Sequence, residues 1–558
     1  MKRITQKSIP SIICWLWNVA KGNRLQTTLN AIIGILDVTI SLLTVYAMRH
    51  AIDVAAHDVE GDLIWAICFI GIITIADFSL IISSIWVRSI LGIKAQNRMQ
   101  QRMIERVIRS EWQSKATHHS GDIMNRLEGD VGTVVGFLTE TLPSALSTLL
   151  LFTGAFVYLY SMDSMLALIT IAIVPLCIVM SKFYVRKMRK LNRIVRDSDS
   201  QIQSVMQDIV QHMLVIKTLE SDKLMVSRLK SSQQELHDNI VRRTIFSVMS
   251  NLTVNLGFSI SYLFTFAWSA FRLSAGTLTF GGMTAFLQLV SRIQGPARSL
   301  AKLIPSSVAV LTAAERLMEL EDIPEEKDGD AIEIEAPCEI KLENVSFRYE
   351  NDSPLVFDNF SYTFPAATAT AVVGETGAGK TTLIRLLLAL SHPTEGRVTI
   401  ASAKHPERCD VMTHLHRCNF VYVPQGNTLM SGTIRENLLL GKPEATEEQI
   451  TEALHQSCAD FVMSLPDGLD TMCSEQGGGL SEGQAQRIAI ARALLRDRPV
   501  MLFDEATAAL DPETERQLLQ NIMQTKQKTI IFITHRMAVC DYCQNVLHIK
   551  GEGEGEGQ

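Results

Sequence analysis

TAVVGETGAGKTTLIRLLLAL, Thr370 to Leu390, decides how this chain is read. An apolar run (Ala371, Val372, Val373) reads as a buried strand. GETGAGKT follows, from Gly374 to Thr381, and then a helix-like stretch through Leu383, Ile384, Leu386 and Leu387. Strand, glycine loop and helix in that order form the context that a phosphate-binding loop requires. Glycines let successive backbone N–H groups curl round phosphate oxygens, and the helix start adds the positive end of its dipole. In such a loop Lys380 reaches the β and γ phosphates, and Thr381 offers its hydroxyl to Mg²⁺.

A second apolar strand, Val500–Phe503, ends in Asp504 and Glu505. A carboxylate at such a strand end holds Mg²⁺ through water, and the next one is placed to orient or deprotonate an attacking water. Two surface acids after a core strand would look the same. The phosphate loop needs this partner, which favours the chemical reading.

The order of motifs resembles the nucleotide-binding domain of the ATP-binding cassette (ABC) superfamily over roughly Ile340–Ile549. Tyr349, in VSFRY, matches the aromatic residue that stacks on adenine. Gln425, in VYVPQ, matches the loop glutamine that touches Mg²⁺. LSEGQ, Leu480 to Gln484, followed by AQRIAIARAL, matches the signature helix; Ala508–Asp511 matches the loop after the acidic strand. His535, in FITHR, matches the switch histidine at the γ-phosphate. The resemblance implies an ATP site of Tyr349, Gly374, Glu375, Thr376, Gly377, Ala378, Gly379, Lys380, Thr381, Thr382 and Gln425. Ser481, Gly483 and Gln484 would be supplied from a second subunit. It implies Mg²⁺ on Thr381, Gln425 and Asp504, and catalysis by Glu505, His535 and Lys380. With one cassette per chain, it also implies a dimer, a homodimer being favoured over pairing with a related chain. One departure is Glu482, where the family usually has glycine. Ser481 and Gly483 remain, so Glu482 is expected to point outward; turnover rate is what the change puts in question.

The chain has 558 residues, 47 % of them hydrophobic, with a net charge of −7 and mean hydropathy of +0.15. No basic face points to nucleic acid. Ten cysteines without a dense framework read as reduced or buried thiols, and no secretory signal is evident. Apolar stretches crowd the first 300 or so residues. A membrane helix needs about 20 mostly apolar residues. Thr27–Met48, Leu63–Trp86, Leu142–Tyr160, Asp163–Ser181 and Ser247–Ala270 meet that need; Thr279–Ala301 is a weaker sixth, carrying Gln288, Arg292 and Gln294. The long intervening segments are basic near the membrane (Arg88, Lys94, Arg98 and Arg102; Lys182, Arg186, Lys187, Arg189 and Lys190), whereas the short Ala47–Asp62 loop is acidic. Positive segments stay inside. The chain is therefore expected in the cell membrane, multi-pass, with its N-terminus and ATPase domain cytoplasmic.

Helical spacing of Ile93, Met99, Met103 and Val107, and of Ile202, Val205, Ile209 and Leu214, predicts spans that continue as long cytoplasmic helices. The expected organisation is an N-terminal segment (1–25), a six-helix membrane bundle (26–320), an acidic linker (321–337), an α/β P-loop nucleotide-binding domain (338–550) and a disordered GEGEGEGQ tail (551–558). The membrane half is similar to the exporter type of the superfamily. Ser120–Asp130 and Gln207–Glu220 resemble its coupling-helix regions, and Ala313–Leu320 the exit from the sixth span. That resemblance implies ATP-driven export of a small-molecule, lipid or peptide substrate across the bilayer; the alternative is an ATP-gated, channel-like protein. A soluble ATPase with the same cassette is disfavoured by the spans, and an importer by the fusion of both parts in one chain.

Three further features stay open. Asp37 and Asp77 lie inside spans and face either bundle water, a helix neighbour or a substrate path. Cys409, His414, His416 and Cys418 invite a zinc reading, but no structural zinc pattern fits and a variable loop is preferred. Cys540-x-x-Cys543 lacks a redox fold context, so burial of single thiols is preferred there.

Overall fold

The computed structural model describes residues 8–21, 24–112, 120–301, 303–349, 353–473, 479–525, 527–549 and 555–557. They form two compact units: Met1–Ile108 with His119–Asp322, and Arg109–His118 with Ile323–Gln558. The first is a transmembrane helical unit, the second an α/β unit.

The helical unit opens with α1 (Ile9–Lys21), α2 (Arg24–Ala55) and α3 (Leu63–Arg109). A broken helix follows: Ser120–Asn125, a π turn Arg126–Asp130, Val131–Gly136, a second π turn Phe137–Thr141, then α4 (Leu142–Met162). After it come α5 (Ser164–Gln211), α6 (Asp222–Ser274), α7 (Phe280–Ala301) and α8 (Leu303–Glu321). Among the described residues, four helices are long and apolar enough to cross a membrane: Thr27–Ala55, Leu63–Arg109, Gly121–Met162 and Asp222–Ser274. They contain the expected first, second, third and fifth spans. The fourth begins α5, and its side chains from 171 to 181 lie outside the described residues. The weak sixth falls on α7.

Ile64, Trp65, Ile72, Ile75, Ile82 and Ile85 stand exposed along α3, as a helix in lipid requires, since its backbone bonds are met internally and its surface need not be polar. Inside, Val45, Ala155, Leu159, Leu166, Phe286, Leu289 and Ile293 make one apolar cluster. The helical continuation of α3 buries Met99, Met103 and Val107, but Ile93 is exposed. On α5, Ile202 and Val205 are buried, whereas Leu214 lies beyond the helix end at Gln211 and is exposed.

Buried polar contacts fasten this unit. Asp53 accepts from the Gly281 N–H at 2.9 Å; a Cβ on Gly281 would sit 2.4 Å from the Arg49 carbonyl, so glycine is required for that approach. Asp163 caps α5 through the Leu166 N–H and accepts from Trp268 Nε1 at 3.1 Å and from Arg272. Arg126, in the first π turn, donates to Asp122 at 2.8 Å, to Glu319 at 2.8 Å and to the Arg316 carbonyl at 2.6 Å.

In the α/β unit, a six-stranded sheet has the order β12-β11-β3-β10-β9-β6, β12 being Gly555–Gly557. Its parallel core is β6 (Phe420–Val423), β9 (Val500–Asp504), β10 (Thr529–Ile533), β3 (Ala369–Gly374) and β11 (Asn545–Ile549). Strands β9 and β10 are buried throughout, which is why they read as unbroken apolar runs. Phe503 and Phe532 stack across them with ring centres 4.9 Å apart. A four-stranded antiparallel sheet, in the order β2 (Phe357–Phe364), β1 (Cys338–Phe347), β4 (Glu395–Ser402) and β5 (Cys409–Val411), packs Phe347, Phe357 and Phe364 with Leu383 and Leu387 of α9 (Lys380–Leu387).

The acidic stretch expected as a linker makes backbone contacts of its own: the Ile332 N–H donates to the Leu415 carbonyl at 3.0 Å and the Ile334 N–H to Asn419 Oδ1 at 2.8 Å. One expectation changes here. The tail expected to be disordered includes an ordered piece, Gly555–Gly557, which pairs antiparallel with Leu547–Ile549 as β12. β11 would otherwise leave an open sheet edge, and glycine backbone is free to cover it.

Arg126 is 8 % exposed and joins three acceptors from two parts of the chain. Arg126→Ala should destabilise the helical unit by about 1–3 kcal/mol, since Glu319 and the Arg316 carbonyl lose this donor while Arg316 still holds Asp122. Arg126→Lys should recover only part, lacking the planar fork. Thermal unfolding of the purified protein in lipid reads this out; an unchanged transition in Arg126→Ala would exclude the clamp.

Candidate functional site

The glycine loop leaves β3 at Gly374 and enters α9 at Lys380. Gly379 caps that helix at φ +99°, a left-handed conformation that glycine adopts without a Cβ penalty. Lys380 is buried. Its Nζ donates to the Gly374 carbonyl at 2.7 Å and the Glu375 carbonyl at 3.0 Å, and lies 3.0 Å from His535 Nε2. Burial lowers its affinity for the proton, while Glu505 and Asp504 oppose that shift. Around it, Glu375, Thr376, Gly377 and Thr381 are exposed, and Ala378 and Thr382 are buried.

Asp504 ends β9 and is buried. Burial raises its carboxyl above the ordinary range, against a hydrogen bond donated by Tyr422 at 3.2 Å. Glu505 follows at φ +48°, unusual for a side-chain-bearing residue; its N–H is fixed by the Ile533 carbonyl at 2.9 Å. Its carboxylate accepts from Gln425 Nε2 at 2.8 Å through one oxygen and lies 3.0 Å from His535 Nε2 through the other. The structure thus brings together Lys380, Gln425, Asp504, Glu505 and His535, drawn from four separate segments of sequence.

These residues fit Mg²⁺. It takes hard oxygen donors and commonly only one or two from protein. Asp504 is a buried carboxylate whose charge lacks solvent, the Thr381 hydroxyl is exposed, and Gln425 donates through its nitrogen, leaving its carbonyl oxygen free to face a cation.

Tyr349 sits beside the loop, half-exposed. Its hydroxyl meets Thr382 Oγ1 at 2.9 Å and accepts from Arg385 at 3.0 Å, while Phe347 packs edge-on to its ring. That leaves an aromatic face for a flat base to stack on.

The signature lies elsewhere. Ser481 caps α10 (Glu482–Arg496): its hydroxyl accepts from the Gln484 N–H at 3.2 Å, and Gln484 Oε1 accepts from the Ser481 N–H at 2.9 Å. Glu482 is exposed. A Cβ on Gly483 would lie 2.8 Å from the Ala509 carbonyl, so the packing demands glycine there and not at 482. Among the described residues, no hydrogen bond joins Ser481, Gly483 or Gln484 to the glycine loop.

Two contributors escaped the motif reading. Arg536 donates to Glu515 at 2.8 Å and to the Ala508 and Leu510 carbonyls at 2.7 and 3.2 Å, pinning the loop after the acidic strand. Tyr422 orients Asp504. Arg536 follows His535 directly, and a cation beside a site histidine was the available signal.

The cysteine and histidine groups are spread among local contacts. His414 Nε2 meets the Lys327 carbonyl at 2.6 Å, His416 Nδ1 accepts from the Thr413 N–H at 3.2 Å, and Cys418 Sγ donates to the Ile332 carbonyl at 3.2 Å. The Cys543 thiol is pushed up to about 12 by burial, which disfavours the reactive thiolate.

Comparison with known proteins agrees with both units. A family model for the ABC transporter transmembrane region matches residues 25–297, and one for the ABC transporter matches residues 357–508. An uncharacterized ABC transporter ATP-binding protein of Sinorhizobium fredii is 31 % identical over 477 residues, covering 84 % of this chain and 80 % of that one. A multidrug resistance ABC transporter ATP-binding and permease protein of Lactococcus lactis is 25 % identical over 553 residues, covering 97 % and 92 %. Among solved structures, a bacterial Atm1-family ABC exporter with ATP bound has a TM-score of 0.77 at 22 % identity, covering 96 % of this chain and 95 % of that one. A membrane region fused to an ATPase unit, in one chain and in the order these relatives share, is what the two units together amount to: the chain belongs to the ABC transporter family and couples ATP hydrolysis to transport across a membrane.

Proposed function

We propose that the chain is one half of a dimeric exporter, most simply a homodimer, with its ATPase unit and N-terminus in the cytoplasm. The observation that carries the hydrolytic part is the placement of Glu505 between Gln425 and His535, beside Asp504 and Lys380. Glu505 orients the attacking water and takes its proton. Lys380 and His535 meet charge on the γ-phosphate, Tyr349 stacks on adenine, and the amides of Gly374–Thr382 cradle the phosphates. Thr381, Gln425 and Asp504 hold Mg²⁺, which when bound offsets phosphate charge. Ser481, Gly483 and Gln484 close over the nucleotide of the second subunit. The separation of the signature from the chain's own glycine loop supports that division of labour. Export as the direction is supported by relatives named as exporters, among them the multidrug protein above and an ATP-dependent lipid A-core flippase of Chromohalobacter salexigens, 29 % identical over 441 residues and covering 78 % of this chain and 75 % of that one. Closure of two ATP-loaded subunits opens the membrane path outward, and hydrolysis resets it.

Glu505→Gln should lower ATP turnover by about 10²–10⁴-fold while nucleotide binding persists. Phosphate release and nucleotide retention in lipid measure both; near-normal turnover would remove Glu505 from its role. A chelator in excess should stop turnover and added Mg²⁺ restore it; hydrolysis that survives chelation would refute the metal assignment. Glu482→Gly should change turnover by less than about threefold, because the side chain is exposed, whereas Gly483→Ala should cost about tenfold or more by pushing on the Ala509 carbonyl. Equal effects of the two would contradict this account. Uptake into sealed inside-out vesicles, abolished by Glu505→Gln, tests export itself.

A further inference from the structure

A cavity of about 250 Å³ lies between α2, α3 and α4 within the helical unit. Ile81, Ile85 and Leu151 form apolar walls. Its floor is polar, and the reasons begin in the sequence. Pro143 has no N–H to offer the Thr139 carbonyl one turn earlier. Asn30 Nδ2 donates to that carbonyl at 2.9 Å. The amide is thereby fixed, and its Oδ1 is left buried without a hydrogen-bond partner, on a residue only 6 % exposed. A buried acceptor left unmet is costly, and each such case calls for an explanation.

Asp37 follows two helical turns later on the same face of α2 and also lines the cavity. Gly34 lies between them, where a Cβ would fall 2.0 Å from Ser147 Oγ, so α2 and α4 approach closely only because of glycine. Asp37 feels Asp77, Arg292 and Arg88 electrostatically, yet among the described residues it makes no hydrogen bond or close ion pair. Arg88 is 3.5 Å from Glu140. Of the charged residues that line the cavity, Asp37, Glu140 and Arg88, two are acids, and the one arginine is turned to Glu140. The π turn Phe137–Thr141 delivers Thr139 and Glu140 to the same place, and π turns frequently mark functional sites.

We infer that this cavity is a binding site for an amphiphilic amine: an ammonium group that donates to Asn30 Oδ1 and Asp37, on an apolar body lying along Ile81, Ile85 and Leu151. An anionic head would meet Asp37 and Glu140, and a neutral alcohol would leave the Asp37 charge unmatched. The ammonium comes either from a membrane lipid headgroup or from a free amine.

Full-length protein in phosphatidylcholine nanodiscs, without nucleotide, is labelled with a photoreactive dodecylamine and the labelled peptides are mapped. Because no ATP is present, the outcome is independent of hydrolysis and export. Labelling is expected on Asn30–Asp37 and Thr139–Leu151, displaced by dodecylamine and not by dodecanol or dodecyl sulfate. Asp37→Asn should weaken half-saturation by about tenfold and Asp37→Glu by less than about twofold. Ile81→Trp, which narrows the mouth and leaves every charge in place, should weaken it as well and guards against misfolding of the Asp37→Asn variant. Nanodiscs containing phosphatidylethanolamine separate the sources: competition assigns the site to a lipid amine, its absence to a free one. Displacement by dodecanol as effective as by the amine, or labelling that persists in both Asp37→Asn and Ile81→Trp, overturns the assignment.

Discussion

Three parallel strands end in step. Val372 of β3 is the lateral neighbour of Ile533 of β10, and Ile533 is the neighbour of Asp504 of β9. Parallel register puts all their carboxyl ends at one edge, where the loops that follow must converge. The loop after β3 is the glycine loop, the one after β10 carries His535, and the one after β9 begins with Glu505. Slipping one strand against another by a residue would turn its side chains to the opposite face and separate Lys380 from His535 and Glu505. The buried apolar runs of β3, β9 and β10 fix the register; the site inherits it.

That edge gathers charge in a poorly solvated place. Lys380 and Asp504 are both buried, and Glu505 occupies a backbone conformation that side chains disfavour. Each cost is offset locally. Loop carbonyls receive the lysine, Tyr422 donates to Asp504, and the Glu505 N–H is satisfied by Ile533. The lysine, glutamine and histidine contacts are ones that phosphate, Mg²⁺ and water would replace without moving the backbone. Such preorganisation is where electrostatic catalysis draws its advantage, since the dipoles are oriented before charge develops.

How much of this was legible in sequence follows from how local each constraint is. The glycine loop, the acidic strand end and the capping box at Ser481 depend on neighbours a few residues away, so their chemistry shows in the string. Arg536 and Tyr422 act on partners 21 to 82 residues distant, and nothing in their surroundings names those partners. Spans show through apolarity only where they face lipid. α7, with Gln288, Arg292 and Gln294, is less apolar and showed only weakly for that reason. The π turns were illegible because they answer to packing: Arg126 sits in the first to reach Glu319, and Thr139 in the second meets Asn30, contacts 193 and 109 residues apart. The acidic 321–337 stretch reads as a linker from its composition, whereas its backbone bonds to Leu415 and Asn419 are set by the fold and do not show in the string.

The signature helix separates two roles that a glycine pair conflates. At 483 the Cβ is excluded by the Ala509 carbonyl, a backbone atom that cannot rotate away. At 482 the side chain is exposed, and an acid in the first turn of a helix is favourable toward the positive end of its dipole. The carboxylate therefore stabilises α10 while it competes, through the same dipole, with any phosphate approaching that end. Exposure limits the competition, because solvent and salt screen a surface charge within about 10 Å. What remains is a helix end whose geometry is intact and whose potential is less positive.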